Sequence, residues 1–224
     1  MKTLIIGCRM LENELRHAYL VTKRTESVRW IEAGLHNVKG HLRSAIQQIL
    51  NEETSYDRIL LAASFCGNSY VGLETCGAEL IIPRADDCIS VLFGGVDKKL
   101  QWMDSYFLTE GWIKSGQSLM GEYRHSLDKY GEKRSFRIFQ AMLAGYRRFL
   151  LLDTGSYDLA PSMETAQKMA ETFSKEFHVL KTDTGYLEEL LNGPWPENRF
   201  LTVPPYSVIK AEDLYLPGEG TINS

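Results

Sequence analysis

Short apolar runs alternate with amphipathic segments along the first half of the chain, and this alternation limits the fold more than any other feature. The sequence predicts strands at 4–7, 27–31, 58–65 and 79–83. It predicts helices between them at 11–20 and from Asn37 to Leu50. Strands joined through helices run parallel, so we expect an α/β fold with a mainly parallel sheet flanked by helices in Rossmann-like layers.

The alternation loosens after Gly94 and Gly95, residues 114–134 are polar and broken by glycines, and order returns near residue 135. The chain is therefore expected to form one domain or two closely packed lobes, with these parts: an N-terminal α/β lobe with the cysteine site at 1–113, a polar excursion or lid at 114–134, a C-terminal α/β lobe at 135–205 and a loosely held tail at 206–224. In the later lobe, Asp-Thr-Gly triplets begin at Asp153 and Asp183. Each follows a predicted strand of an αβ unit, so we expect these aspartates to cap helices or bind a ligand, not to form an aspartic protease.

Composition and charge limit the kinds of partner that the protein is expected to bind. The chain carries 25 Lys and Arg against 29 Asp and Glu, a net charge of −4 at pH 7, which argues against nucleic-acid binding. The basic residues Lys133, Arg134 and Arg137 are expected to form a solvated helix face. No signal peptide or membrane span is visible, so we expect a cytoplasmic protein without a membrane partner. Its cysteines are then expected to stay reduced.

Three of the four cysteines follow predicted strands. Cys8, Cys66 and Cys88 lie at or just beyond a strand's carboxyl end, whereas Cys76 precedes its strand. Parallel strands bring their carboxyl ends to one edge, where open α/β folds build ligand sites. Three thiolates there suit zinc with an open fourth position, or a four-iron cluster (4Fe-4S) with one iron free of protein ligands. Free cysteines also fill cores, so this choice stays open.

Residues beside these cysteines complete the predicted site. The turn after Cys66 offers backbone N–H groups, so Gly67 and Asn68, together with Asp87, are predicted to contact the cofactor. The residues predicted to handle charge and protons on a small-molecule substrate are His36, Arg84 and Asp86. A structural histidine and a surface ion pair with a helix cap are the alternatives. No GxGxxG, phosphate-binding loop, GxSxG or HExxH is present, so no nucleotide cofactor is expected.

A second hypothesis is a metal-free cysteine enzyme of the racemase or thiol-transfer kind, in which two thiols act as acid and base across a substrate. Cys66-Gly67-Asn68-Ser69 is loosely similar to the cysteine turn of amino-acid racemases, although Gly67 departs from their pattern. Such an enzyme requires at least one thiol with a lowered pKa.

Several elements occur in an order that resembles a known family. They are Ile5-Ile6-Gly7-Cys8, Gly34-Leu35-His36-Asn37, Cys66-Gly67-Asn68, Ile82-Pro83-Arg84-Ala85-Asp86-Asp87-Cys88, Leu108-Thr109-Glu110-Gly111-Trp112, Leu191-Asn192-Gly193-Pro194-Trp195 and Pro204-Pro205. They resemble the uncharacterised family called domain of unknown function sixteen-thirty-eight, found mainly in anaerobic bacteria and archaea. The resemblance runs from Leu4 to Pro205 and marks the same three cysteines.

The resemblance implies a link to anaerobic one-carbon metabolism, because members are often encoded near corrinoid-dependent methyltransferases. It brings no established reaction. It suggests a third hypothesis, in which the protein is a non-enzymatic accessory or chaperone that carries metal or corrinoid to a methyltransferase. The expected partner is thus a small-molecule substrate or a corrinoid or methyltransferase protein. The sequence leaves the oligomeric state open.

Overall fold

A computed structural model describes residues 1–38, 40–115 and 118–214. The strands in these ranges are β1 (Thr3–Cys8), β2 (Ser27–Ile31), β3 (Arg58–Ala62), β4 (Glu79–Pro83), β5 (Ser105–Leu108), β6 (Arg148–Asp153), β7 (Glu176–Lys181) and β8 (Phe200–Val203). The α-helices are α1 (Glu12–Thr22), α2 (His41–Glu52), α3 (Cys88–Leu92), α4 (Val96–Leu100), α5 (Glu110–Lys114), α6 (Leu119–Tyr130), α7 (Glu132–Met142), α8 (Leu159–Phe173) and α9 (Gly185–Asn192).

The chain divides into two compact units. The first contains Met1–Lys98 and the described residues from Thr184 onward, and the second contains Lys99–Asp183. This division differs from the lobes expected at 1–113 and 135–205. The physical reason is that β8, which was expected in the lobe at 135–205, pairs antiparallel with β4 of the first unit.

The first unit is built on a five-stranded sheet in the order β2-β1-β3-β4-β8. Strands β1 to β4 run parallel, and β8 alone is antiparallel. The centres of β1, β3 and β4 are buried, as expected of strands covered on both faces. The expected α/β fold with a mainly parallel, helix-flanked sheet is confirmed.

The strand order creates a crevice at one edge of this sheet. The chain places β2 on one side of β1 and β3 on the other, so the direction of winding reverses between β1 and β3. Ligands of open α/β sheets bind outside the carboxyl ends of the strands at such a reversal. The carboxyl ends of β1 and β3 are therefore the place in the first unit where a site is expected.

Two element boundaries differ from the sequence-based expectation. The third strand ends at Ala62, because the Phe65 N–H takes no part in the strand pairing and donates to the Ala85 carbonyl at 3.0 Å. Helix α2 begins at His41, because the Asn37 N–H closes a separate short turn onto Gly34 at 3.0 Å. The expected apolar stripe of α2 is buried at Leu42, Ile46 and Ile49.

The second unit has a parallel three-stranded sheet in the order β5-β6-β7. Its aromatic core centres on Phe173, whose ring lies 5.1 Å from Tyr123 and 6.0 Å from Phe139. Leu119 and Tyr123 of α6 are buried in this core. The segment 114–134, expected to be a polar excursion, therefore supplies part of the packing of the second unit.

Residues 206–214 also differ from the expected loosely held tail. The Ile209 N–H donates to the Leu73 carbonyl at 2.9 Å, and the Gly72 N–H donates to the Ile209 carbonyl at 2.8 Å. Ile209 and Leu214 are buried. Part of the tail is thus fixed to the first unit, and 215–224 lie outside the described residues.

The two Asp-Thr-Gly triplets differ in their relation to helices. Asp158, and not Asp153, caps α8 by accepting a hydrogen bond from the Ala160 N–H at 3.1 Å. Asp153 accepts a hydrogen bond from the Gly155 N–H at 3.1 Å within its own turn. Thr184 of the second triplet is the N-cap residue of α9. The expectation that Asp153 caps a helix is therefore wrong, and ligand binding by these aspartates stays a prediction.

Lys133, Arg134 and Arg137 are exposed on α7, as expected, where they border an open groove of about 730 Å³. Within 1–38, 40–115 and 118–214, no helix has both the length and the apolar character needed to cross a membrane.

Candidate functional site

Three cysteines meet at the carboxyl edge of the first sheet. Cys8 is the last residue of β1, Cys66 lies four residues beyond β3, and Cys88 follows β4 as the first residue of α3. The three strands are neighbours in the sheet. Cys8 is buried, and Cys66 and Cys88 are half-buried.

Hydrogen bonding couples the acidities of the three thiols. The interaction with Cys88 raises the pKa of Cys66 and lowers the pKa of Cys8. A hydrogen bond from the Met10 backbone N–H also lowers the pKa of Cys8, because it favours the thiolate form.

This arrangement separates the acidities of the thiols. The hydrogen bond from Cys88, with the Met10 N–H, lowers the pKa of Cys8 below the ordinary cysteine value despite its burial. Donation to Cys88 and burial raise the pKa of Cys66. The bond from Cys66 lowers the pKa of Cys88, but donation to Cys8 and burial outweigh it, so that this pKa is also raised.

A buried hydroxyl group lies beside two of the thiols. Ser64 Oγ lies 3.2 Å from Cys66 Sγ and 3.5 Å from Cys88 Sγ, and Ser64 is fully buried. Its hydrogen bonds lower the pKa of both thiols. Ser64 is a site residue that was not predicted; its position two residues before Cys66, beyond a buried strand, is the sequence signal that points to it.

The backbone around Cys66 adopts an uncommon conformation. Cys66 has φ +42° and Gly67 has φ +70°, so two consecutive residues are left-handed. A left-handed non-glycine residue is strained and occurs mainly where surrounding contacts impose it. Ser69 Oγ donates to the Cys66 carbonyl at 2.9 Å and holds this turn. Gly67 has no neighbouring atom within 4 Å of the place of a Cβ, so its conformation, not crowding, favours glycine.

Comparison with known protein families identifies one match. Residues 30–191 match the family described as "Protein of unknown function (DUF1638)", which is well over half of the chain. The chain belongs to this family. No curated protein and no solved structure matches the chain. The resemblance to an uncharacterised family is thereby confirmed, and the matched range includes Cys66 and Cys88 and begins after Cys8.

Asp86 and Asp87 hold the start of α3 in this DUF1638 protein. Asp87 Oδ1 accepts hydrogen bonds from the Ser90 N–H at 2.7 Å and from Ser90 Oγ at 2.9 Å. Asp86 accepts from the Asp87 N–H at 3.0 Å and from the Ser90 hydroxyl. Because Cys88 is the first residue of α3, this cap fixes its backbone. The proton-handling role of Asp86 and the cofactor contact of Asp87 stay predictions.

His36 lies on the same edge, in a short turn after β2. Desolvation lowers the pKa of His36, and the charge of Asp87 opposes this shift. His36 is exposed to solvent and is therefore accessible to a bound molecule. The role of His36 toward a substrate stays a prediction.

Arg84 has structural contacts. Its Nε donates to the Glu197 carbonyl at 2.7 Å, and its Nη1 donates to the Asp213 carbonyl at 2.9 Å. These bonds tie the end of β4 to two backbone segments that follow α9. Arg84 thus stabilises the C-terminal part of the first unit, and its role toward a substrate stays a prediction. Gly67 and Asn68 lie directly after Cys66, where the sequence predicts cofactor contact.

Tyr70 is a second residue that the sequence analysis missed. Its side chain is fully buried, and its ring meets the Phe65 ring edge-on at 5.8 Å. Its hydroxyl has no hydrogen-bond partner among the described residues. Burial raises the pKa of Tyr70, and the charges of Cys66, Cys88 and Cys8 raise it further. The phenol therefore lies in the electrostatic field of all three thiols.

The described side chains do not present a ready metal site. Among residues 1–38, 40–115 and 118–214, no group of three or more His, Cys, Asp or Glu is arranged to hold a metal ion. Thiols that donate to one another carry their protons, so metal binding requires them to lose protons and turn toward a common centre. Three sulfurs are a donor set that suits zinc or an iron–sulfur cluster.

Cys76 is separate from the three thiols. It lies in the loop before β4, where its thiol is 3.9 Å from Asn51 Oδ1 and its carbonyl accepts the Tyr206 N–H at 2.9 Å. This residue is therefore suited as a control for the reactivity of the others.

Proposed function

We propose that Cys8, Cys66 and Cys88 bind a zinc ion or a 4Fe-4S cluster through their sulfurs and leave one coordination position open for a small-molecule substrate. The position of the three cysteines at or beyond the carboxyl ends of three neighbouring strands carries this proposal, together with Ser64 Oγ, which lies 3.2 Å from Cys66 Sγ and 3.5 Å from Cys88 Sγ. Ligands of open α/β folds bind at this edge, near the winding reversal of the sheet.

The bound group would supply a Lewis-acidic or redox-active centre. The protein's own groups would stabilise the thiolates, since the Ser64 hydroxyl lies within hydrogen-bond distance of the sulfurs of Cys66 and Cys88 and the Met10 N–H bonds to Cys8. Charge and proton handling on the substrate is assigned to His36, Arg84 and Asp86. Of these, His36 has the support of its exposure and of its place in the short turn after β2.

The substrate or partner is assigned to corrinoid-dependent methyl transfer in anaerobic one-carbon metabolism. The family resemblance supports this assignment through the methyltransferases near which members are encoded. An accessory that carries metal or corrinoid to a methyltransferase would use the same three thiols. Titration with cobalamin, followed by its visible absorbance, separates the two roles, because only a corrinoid carrier is expected to alter the spectrum.

The separation of the thiol acidities favours a second candidate function. The pKa of Cys8 is lowered and that of Cys88 is raised, so that of these two interacting thiols one loses its proton more readily than the other. Such a pair is suited to act as base and acid on a bound molecule. In this case the three thiols work without metal, as a racemase-like or thiol-transfer enzyme.

The deciding experiment is purification without oxygen, followed by the visible spectrum and by assays of iron, zinc and acid-labile sulfide. The variants Cys8→Ser, Cys66→Ser and Cys88→Ser are compared with Cys76→Ser. We expect the metal to be lost in the first three variants and retained in the fourth. Iron with sulfide and visible charge-transfer absorption identifies a cluster, and a colourless protein with zinc identifies a zinc site. Protein that stays metal-free after incubation with zinc, or with iron and sulfide, overturns the proposal in favour of the thiol enzyme.

A further inference from the structure

Tyr70 carries a buried hydrogen-bond donor with nothing to donate to. The side chain is 0% exposed, and no acceptor lies within hydrogen-bond distance of its hydroxyl in the described ranges. A buried hydroxyl without a partner destabilises a protein, and such groups are rare in folded structures. An acceptor that enters this place on ligand binding would remove the penalty.

The surroundings of Tyr70 indicate where that acceptor lies. The Tyr70 ring packs edge-on against Phe65, the residue before Cys66, and its backbone carbonyl accepts the Leu73 N–H at 3.0 Å. The ring and the backbone of Tyr70 are thus both held. Tyr70 lies in the turn segment that begins at Cys66, and its ring packs on the residue before Cys66, so the unsatisfied donor belongs to the Cys66 turn of the three-thiol site. The charges of the three cysteines act on the phenol as well.

Metal binding to the three thiols changes which hydrogen-bond donors are present at the site. Each thiol must lose its proton to become a ligand, so the S–H donors of Cys66 and Cys88 disappear. Three thiolates also place negative charge around the metal, and an anion in the fourth position adds to it. A neutral hydrogen-bond donor stabilises such an anion and, because it carries no positive charge, does not compete with the metal for the thiolates. A phenol that resists ionisation is such a donor.

We propose that the open position takes a ligand with an anionic donor atom, such as hydroxide, thiolate or carboxylate, and that Tyr70 donates a hydrogen bond to it. This inference rests on the proposed metal site and adds the chemical class of its ligand. Tyr70 thereby selects the ligand. A molecule without an acceptor atom beside the metal leaves the Tyr70 hydroxyl unsatisfied, so the affinity for such a molecule does not depend on Tyr70.

The test uses the Co²⁺-loaded protein, whose visible spectrum reports its ligands, and compares the wild type with Tyr70→Phe. Azide is the anionic probe and pyridine the neutral one, which has no acceptor left once it is bound. We expect unchanged Co²⁺ stoichiometry, azide affinity about tenfold lower in the variant, and equal pyridine affinity, since a hydrogen bond to a charged group contributes at least that factor. In the metal-free protein, Tyr70→Phe is expected to raise the melting temperature, because it removes an unsatisfied buried hydroxyl.

Tyr186→Phe is the matched control. The Tyr186 hydroxyl is bonded to the Arg199 carbonyl, so this variant is expected to lower the melting temperature and to leave azide affinity unchanged. Equal azide affinity of the wild type and Tyr70→Phe, or a wild type that binds Co²⁺ without binding azide, overturns the inference alone. A wild type that binds no Co²⁺ overturns the proposed metal site and this inference with it.

Discussion

Hydrogen bonding between the thiols of Cys88 and Cys8 lowers the pKa of Cys8 and links the first residue of α3 to the last residue of β1. The position of Cys88 depends on the Asp87 cap, and that of Cys8 on the ladders of β1 with two neighbouring strands. Both ends of the bond are therefore held by regular structure. The thiol pair is preorganised before any ligand arrives.

Cys8 is expected to ionise before Cys66 and Cys88 in the metal-free protein. Its thiolate accepts hydrogen bonds from Cys88 and from the Met10 N–H, which lower its pKa, whereas the pKa values of Cys66 and Cys88 are raised. A titration of the thiolate ultraviolet absorbance should therefore show one step at lower pH than an ordinary cysteine. Cys8→Ser should abolish this step, and Cys88→Ala should move it to higher pH. Persistence of the step in Cys8→Ser would contradict this assignment.

Ser64→Ala is expected to weaken metal binding more than it weakens the fold. The substitution removes the hydroxyl that contacts the sulfurs of Cys66 and Cys88, and partners of metal ligands typically contribute about 10- to 100-fold in affinity. Competition with a zinc chelator measures the change. Ser126→Ala, which breaks a buried bond of 2.8 Å to Ser135 in the second unit, is the control and should leave zinc affinity unchanged. Equal zinc affinity in Ser64→Ala would argue against thiolate ligands.

The meeting of the three cysteines was predictable from the sequence because it depends on local patterns. The apolar runs locate β1, β3 and β4, and parallel strands bring their carboxyl ends to one edge. A cysteine at or after each end must then lie at that edge. The prediction needs no tertiary detail except that these strands are neighbours in the sheet, and short helical connections favour neighbouring strands.

The supporting residues could not be predicted because they depend on contacts that are distant in sequence. The unsatisfied hydroxyl of Tyr70 is visible only once the packing around it is known. Arg84 resembles a site residue in sequence, yet its guanidinium reaches carbonyls 113 and 129 positions away. The same reason applies to β8, whose pairing with β4 moves it out of its expected lobe.

Gly7→Ala is expected to destabilise the first unit by about 1–3 kcal/mol, as overpacking of a core does. A Cβ at Gly7 would lie 2.8 Å from Cζ3 of Trp30 and 2.9 Å from Cδ2 of Leu15, inside their van der Waals contact distance. Urea denaturation measures the loss. Gly145→Ala is the control, because no atom lies within 4 Å of its new Cβ, and its effect should stay within about 0.5 kcal/mol. Equal effects of the two substitutions would contradict the close packing at Gly7.

Arg84→Lys is expected to loosen the segment around Asp213 without loss of metal. A lysine ammonium cannot reproduce the two-donor geometry by which Arg84 reaches the carbonyls of Glu197 and Asp213, and the lost hydrogen bond contributes about 1 kcal/mol. Amide hydrogen exchange should accelerate at Asp213 and stay slow at Ile209, whose N–H is held independently by the Leu73 carbonyl.

The zinc affinity of Arg84→Lys separates the structural role of Arg84 from the site role that the sequence predicts. If Arg84 only holds the C-terminal segment, zinc affinity should match the wild type, because Arg84→Lys leaves Cys8, Cys66 and Cys88 in place. Faster exchange at Asp213 with unchanged zinc affinity is therefore the expected result. A loss of zinc affinity with unchanged exchange at Asp213 would instead assign Arg84 to the site, because its contacts with the backbone would then not limit the opening of the segment.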